Sequence, residues 1–287
     1  MKDLGKISYF LGIHFTQEGG TISMNQSSYL RSILEKCGME HCKPRASPCE
    51  LKPEQYYDGD EIIEEPRYRE IVGSLVYAMT STRPDLSWAV TRLSQHLSKP
   101  TKGDWTLINQ VLRYIKGTID YSLTFRKSDN GLQLIGYSDA DWASSTDRRS
   151  TTGYYFSLTE RGPALSWKSR KQPTVALSSC ESEFMALAAT TQEAVYLNRL
   201  LVDLHDKSYE PVNIRGDNQG AIAMVKNPVK HNRSKHIDVK YFFIRDYLLQ
   251  KRISVNYVPS EDNIADVMTK PCPKIKFEKF EKYLFGI

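Results

Sequence analysis

Apolar residues along the chain keep two different rhythms. Near the start, residues 9–15 and 21–24 are short aromatic and β-branched runs flanking Gln17-Glu18-Gly19-Gly20, which predicts a hairpin with a glycine turn. Between residues 27 and 39, Tyr29, Leu30, Ile33 and Leu34 recur at helical spacing, with Gly38 near the end. Residues 42–66 are rich in Pro, Asp and Glu, have no apolar period and predict a long loop. From 67 to 117 three helical stripes follow, one on Ile71, Leu75 and Ala78, one on Leu86 to Leu97, and one on Trp105, Ile108, Leu112 and Ile115. Arg83-Pro84 and Lys99-Pro100 separate them, because a residue before proline is pushed out of the helical region.

The rhythm changes across the polar stretch 126–131, which is taken as the boundary between domains 1–125 and 126–287. Residues 132–139, 153–158 and 164–167 read as three successive strands, with Glu160-Arg161-Gly162-Pro163 turning between the last two. A long amphipathic helix over 181–204, a strand at 212–215, a helix over 219–225, a basic helix over 236–249 and a strand at 253–258 follow. A short last helix is expected to start near Asp262. Three strands in sequence and then alternating helices and strands predict an α/β domain, a mixed sheet with helices on its faces.

At 287 residues and 40% hydrophobic content, two domains can each bury a core. No apolar run approaches the length of a membrane span, and the first residues lack the form of a signal peptide, so a cytoplasmic or nuclear location is expected. The five cysteines are scattered, and Cys37, His41, Cys42 and Cys49 have no recognised zinc spacing. Charge is unevenly placed. Residues 1–125 hold 15 Lys+Arg and 15 Asp+Glu, whereas residues 126–287 hold 24 and 19, so the whole net charge of +5 lies in the second part. A basic surface around a local acidic pocket suits an enzyme that attracts a polyanion and cuts it with metal ions.

The acidic pocket is suggested by carboxylates at structural junctions. The strand Leu134-Ile135-Gly136-Tyr137-Ser138 ends in Asp139 and Asp141, Asp217 leaves a strand, and Asp266 enters a helix. Each has an alternative: Asp139 and Asp141 as turn residues, Asp217 as a helix cap, Asp266 as a first-turn acid. Glu181 and Glu183 compete at the start of the long helix. Ser178-Ser179-Cys180-Glu181 fits a capping box, in which Glu181 reaches back to the Ser178 amide; that leaves Glu183 unclaimed, although periodicity does not exclude Glu181.

Several long motifs resemble the ribonuclease H region of copia-type retrotransposon Pol polyproteins. They are Tyr137-Ser138-Asp139-Ala140-Asp141-Trp142-Ala143, Asp147-Arg148-Arg149-Ser150-Thr151-Thr152-Gly153-Tyr154, Leu165-Ser166-Trp167-Lys168-Ser169-Arg170-Lys171-Gln172 and Val175-Ala176-Leu177-Ser178-Ser179. Asp217-Asn218-Gln219, Lys235-His236-Ile237-Asp238-Val239 and Ala265-Asp266-Val267-Met268-Thr269-Lys270 follow in the same order. The resemblance implies a ribonuclease H-like mixed five-stranded sheet flanked by helices. It also implies metal-dependent cleavage of the RNA strand of RNA/DNA hybrids, with two Mg2+ ions, or Mn2+ in their place. Its catalytic and metal-binding acids fall on Asp139, Glu183, Asp217 and Asp266, with Glu183 placed by Glu183-Phe184-Met185-Ala186. One departure is Val258-Pro259-Ser260-Glu261-Asp262, where many ribonucleases H carry a histidine shortly before the last aspartate.

The first part resembles the end of the reverse transcriptase of the same family, from the late palm hairpin through a mostly helical thumb and connection. The resemblance is carried by residues 1–15, Ile71-Val72-Gly73-Ser74-Leu75, Thr82-Arg83-Pro84-Asp85-Leu86 and Leu112-Arg113-Tyr114-Ile115-Lys116-Gly117-Thr118. The polymerase's own paired aspartates belong upstream of Met1, and Tyr57-Asp58-Gly59-Asp60 is no substitute, so no polymerase activity is expected from this chain alone. Lys168, Arg170 and Lys171 form one basic cluster, and Lys230, Arg233 and Lys235 another, both expected to contact nucleic acid. The expected partners are an RNA/DNA hybrid and an intact reverse transcriptase subunit, with a virus-like particle as the setting if the element is active. Two other readings are a catalytically inactive, transposon-derived nucleic-acid-binding protein and a different phosphodiesterase of the same fold.

Overall fold

Residues 9–25 form three short strands where a hairpin was expected: β1 (Tyr9–Phe10), β2 (Ile13–Glu18) and β3 (Thr21–Asn25). Gly19 and Gly20, at φ +55° and +76°, make the tight turn between β2 and β3. The edge of β3 away from β2 is covered. The polar-flanked run at 121–125 supplies β4 (Leu123–Arg126), which pairs antiparallel with β3 through Ile22 opposite Phe125 and Met24 opposite Leu123. Among the described residues, which are 5–51, 61–128, 131–144, 147–226 and 235–287 of the computed structural model, this sheet runs β1-β2-β3-β4.

The helical stripes become α1 (Ser27–Lys36), α2 (Tyr68–Ser81), α3 (Ser87–Ser94) and α4 (Lys102–Gly117). Breaks fall at Pro84 and Pro100 as the sequence predicts, and Thr101 with Asp104 closes a capping box at the start of α4. Leu30, Leu75, Val90 and Ile108 are fully buried. Parts of the expected loop at 42–66, including Tyr57 to Asp60, lie outside the described residues.

The chain divides into two units, Met1–Asp129 with Pro271–Ile287, and Asn130–Lys270. The C-terminal residues therefore do not belong with 126–270, contrary to the expected 126–287 domain. They form α9 (Lys274–Phe285), which buries Phe280, Leu284 and Phe285 in the first unit. Phe277 stacks edge-on against Tyr114, and Phe285 against Tyr121.

A buried polar cluster joins α9 to this unit. Arg83 is fully buried, pairs with Asp85 at 2.6 Å and donates to the Thr118 carbonyl and hydroxyl. The Tyr114 hydroxyl lies 2.6 Å from Asp85 Oδ2 and 2.5 Å from Glu281 Oε1, yet it has a single hydrogen. Burial, with the nearby Asp85 charge, pushes the Glu281 carboxyl up to about 7. The arrangement closes when neutral Glu281 donates to Tyr114 and Tyr114 donates to Asp85.

The second unit is built on a five-stranded sheet in the order β7-β6-β5-β8-β9. Its strands are β5 (Ile135–Asp141), β6 (Thr151–Ser157), β7 (Ser166–Lys171), β8 (Val212–Gly216) and β9 (Ile253–Tyr257). β5, β6 and β7 pair antiparallel, whereas β8 lies parallel to β5 and β9 parallel to β8. Parallel neighbours need crossovers, supplied by α5 (Ser179–His205) and by α6 (Gln219–Lys226) with α7 (Lys235–Leu249). Phe184, Leu187 and Ala188 of α5 join Tyr154, Phe156, Ile214 and Val255 in the core. On the other face lies α8 (Asp266–Thr269), which starts later than expected because residues 260–262 form a 3-10 turn first. Gly153 lets α8 approach: a Cβ there would meet Thr269 Cγ2 at 2.6 Å and Met268 Cβ at 2.7 Å.

The Glu281 cluster gives a signed pH dependence. Its folded-state value lies above its ordinary 4.5, so its contribution is complete below pH 4.5 and is lost as pH rises through about 7. That loss is on the order of 3 kcal/mol. A Glu281→Gln variant, whose amide always donates, is expected to show a flatter fall in melting temperature over this range. Matching pH profiles for variant and wild type would contradict the shared-proton arrangement.

Candidate metal centre

Two parallel strands run toward the same sheet edge: β5 carries Asp139 two residues before its end, and Asp217 directly follows β8. Gly136 of β5 is level with Ile214 of β8 and Tyr137 with Arg215, so Asp139 and Asp217 emerge side by side. Glu183 comes from near the N-terminal end of α5, one turn past its Ser178 cap. One carboxylate oxygen from each of Asp139, Glu183 and Asp217 lies within 4.8 Å of the other two. Asp139 is 1% and Glu183 7% exposed, so two of the three are shielded from water.

Asp266 is attached to this trio through a lysine. Lys270, one helical turn on, places Nζ 3.0 Å from Asp266 Oδ1 and 3.5 Å from Asp139 Oδ2. The fixed positions come from hydroxyls and an amide. Thr269 donates its hydroxyl to Asp139 Oδ2, Ser260 donates to Asp217 Oδ2 at 2.6 Å, and Asn263 donates to the Ser138 carbonyl at 3.0 Å.

Glu181 takes a different part. Ser178 Oγ accepts from the Glu181 amide, as in a capping box, but the Glu181 carboxylate accepts from the Leu177 amide at 2.9 Å and not from Ser178. Asp141 sits past the trio, opposite Thr151.

Crowding of like charges governs the electrostatics. Burial first, and then the neighbouring Asp266 charge, raise the Asp139 carboxyl above its ordinary range, against the pull of Lys270. Burial and then Asp139 and Asp217 raise Glu183. Lys270 is held protonated by Asp139 and Asp266 despite its own burial. Three hard oxygen donors that repel one another at this spacing suit a divalent cation such as Mg2+, whose charge would let all three ionise together. The donor set therefore fits a magnesium-type ion, held by Asp139, Glu183 and Asp217 with Asp266 beside them.

The expected basic clusters fare differently. Lys230 and Arg233 lie outside the described residues, as does the side chain of Lys235 at the start of α7. Lys168 and Arg170 of β7 pair with Tyr154 and Thr152, whereas Asp139 shares its row with Gly153 and Ser169. Paired residues project together and alternate along the strand, so Lys168 and Arg170 face away from the side that Asp139 faces. Lys171 is committed to Asp147 at 2.9 Å. Trp142 is 48% exposed and donates its indole N–H to the Ala176 carbonyl. Three residues that touch the acids were not assigned from sequence: Ser260, Thr269 and Lys270. The last two stand three and four places after Asp266, which puts them on its helical face.

The mixed sheet in the order β7-β6-β5-β8-β9, its flanking helices and the acids at its edge form the α/β architecture expected of a ribonuclease H-like unit. Residues 1–51 match the model of a family described as reverse transcriptase (RNA-dependent DNA polymerase). The chain is 38% identical over 283 residues to a retrovirus-related Pol polyprotein from transposon RE2 of Arabidopsis thaliana, covering 98% of this chain and 19% of that protein. It is 40% identical over 197 residues to an uncharacterised mitochondrial protein of the same plant, covering 68% of this chain and 80% of that one. Among solved structures, ribonuclease H1 of Halobacterium salinarum NRC-1 is similar with a TM-score of 0.36 and 18% identity, over 48% of this chain and 94% of that one. The chain belongs to the copia-type retrotransposon Pol polyprotein family. It spans about a fifth of the length of the Pol polyproteins it matches.

The raised carboxyls predict how metal and pH act together. With a chelator present, ionising Asp139 and Glu183 costs stability as pH rises, because the folded state holds their protons more tightly than the unfolded chain. Added Mg2+ is expected to raise the melting temperature more at about pH 8 than at about pH 5. The difference should shrink in Asp139→Asn. A magnesium effect independent of pH, and equal in the variant, would contradict the crowding.

Proposed function

We propose that the second unit is the ribonuclease H of a retrotransposon Pol protein, hydrolysing the RNA strand of RNA/DNA hybrids. The observation that carries this reading is the trio Asp139, Glu183 and Asp217, within 4.8 Å, gathered from two parallel strands and a helix in a chain of this family. Two bound Mg2+ ions, or Mn2+ in their place, would activate a water and stabilise the leaving oxygen of the phosphodiester. The protein's share is to hold hard ligands rigidly. Asp139 and Asp217 are fixed by their strands and by Thr269 and Ser260, and Glu183 by the N-terminal end of α5. Asp266 completes the acidic set, and Lys270 offsets its charge and that of Asp139.

Lys270 acts as a resident counter-ion. Its ammonium lies where positive charge is required, and an entering cation takes over part of that task. Recognition of the hybrid is expected through its shape and its 2′-hydroxyls across the minor groove, with affinity that falls as salt rises.

Cleavage of a labelled RNA/DNA hybrid in Mg2+ tests the assignment. Asp139→Asn and Asp217→Asn are each expected to lower the rate by at least about a hundredfold, with cleavage of duplex DNA negligible throughout. Wild-type protein that binds the hybrid without cutting it favours the inactive nucleic-acid-binding reading. Equal cleavage by wild type and variants would overturn the acids' role.

A further inference from the structure

A cavity of about 410 Å³ opens in the second unit between β7, the flank of α5 and α7. It lies on the helix side of the sheet. Thr152 and Tyr154 of β6, which line it, alternate with Gly153, whose own face is packed against α8. Ser138, in the same row as Tyr154, bonds to Thr190 of α5, which fixes α5 on that side. The cavity is therefore separated by the sheet from the face that carries the Asp139 side chain.

Its lining joins two chemistries. Lys168, Arg170 and Lys240 bring positive charge, and none of them has an ion-pair partner among the described residues. The carboxylate in the wall, Glu193, is already engaged by the Ser166 hydroxyl at 2.6 Å and by the Tyr154 hydroxyl. Lys240 is half-buried, and burial pulls its ammonium below the ordinary value, with only Glu181 acting the other way. A partly desolvated cation with no direct ion pair among the described residues favours an anion beside it. The floor is different: Tyr154, Met185, Ala188 and Phe243 present ring and thioether surface.

We propose that this cavity binds a nucleoside 5′-monophosphate, either free or as the phosphorylated end of a strand. The phosphate sits among Lys168, Arg170 and Lys240, where charge-assisted hydrogen bonds to its oxygens replace the missing carboxylates. The base rests on the apolar floor, and base stacking on such a surface tolerates any of the four bases. The volume falls in the range of small-ligand sites and is too small for a duplex. The site needs none of the acids at the other face, so it stands whether or not the nuclease reading does.

Calorimetric titration of the full chain with adenosine 5′-monophosphate, in the presence of a chelator to silence the acidic centre, tests the proposal. Saturable binding is expected, weaker by at least about tenfold for adenosine or inorganic phosphate alone, since each carries half of the recognition. Lys168→Gln and Arg170→Gln, both at exposed positions, should each weaken it several-fold and together about tenfold or more, with unchanged melting temperatures. A second arm uses a 5′-phosphorylated tetranucleotide. Binding of both probes assigns strand ends as well as free nucleotide, and binding of the monophosphate alone assigns the free nucleotide. No saturable binding of either probe, or equal binding by the double variant, would overturn the site.

Discussion

The repulsion among Asp139, Glu183 and Asp217 is the constraint around which the second unit is arranged. Asp139 and Glu183 are buried, and burial together with the neighbouring carboxylates raises both of their carboxyls above the ordinary range. A protein folded for stability alone would separate them. Here the sheet forces them together, because β5 and β8 are parallel in a register that sets Asp139 beside Asp217, and α5 begins where Glu183 can reach both. The arrangement is tolerable because Lys270 approaches two of the four acids and because hydroxyls donate to Asp139 and Asp217.

Close packing on the far face serves the same centre. Gly153 leaves room for Met268 and Thr269 to lie directly on β6, and that contact sets the position of Thr269 and Lys270 relative to Asp139. A side chain at 153 would lift the short helix and loosen the acids, although it would touch none of them. Asn263 ties the preceding loop to the Ser138 carbonyl, and Ser260 ties it to Asp217. The loop without the histidine thus has a structural part: its serine orients a carboxylate.

Much of the fold could be read from period alone. The five strands of the mixed sheet and the helices at 68–81, 102–117 and 179–205 follow clear alternation or helical stripes, broken by proline where expected. Pairing was less legible. That β4 joins β3 across about a hundred residues depends on tertiary contact, which no local pattern records. Helix 274–285 was missed although Phe277, Phe280 and Leu284 keep helical spacing, because lysines and glutamates fill the intervening positions and mask the stripe. Its membership of the first unit rests on Glu281 and two aromatic contacts, invisible in sequence. In the site, strand ends pointed to Asp139 and Asp217, whereas the choice of Glu183 needed the motif around it. The row alternation of β7, which sends Lys168 and Arg170 away from the face of Asp139, was implicit in the sequence once the pairing with β6 was known.

Binding of Mn2+, followed by its paramagnetic resonance signal in wild type and in Asp217→Asn at neutral pH, tests the central claim most directly, since it reads the ion and not its consequences. Saturable uptake in the wild type, weakened about tenfold or more when the Asp217 charge is removed, is the result this account predicts. Equal uptake by both proteins, or none by either, would contradict a metal centre built from Asp139, Glu183 and Asp217.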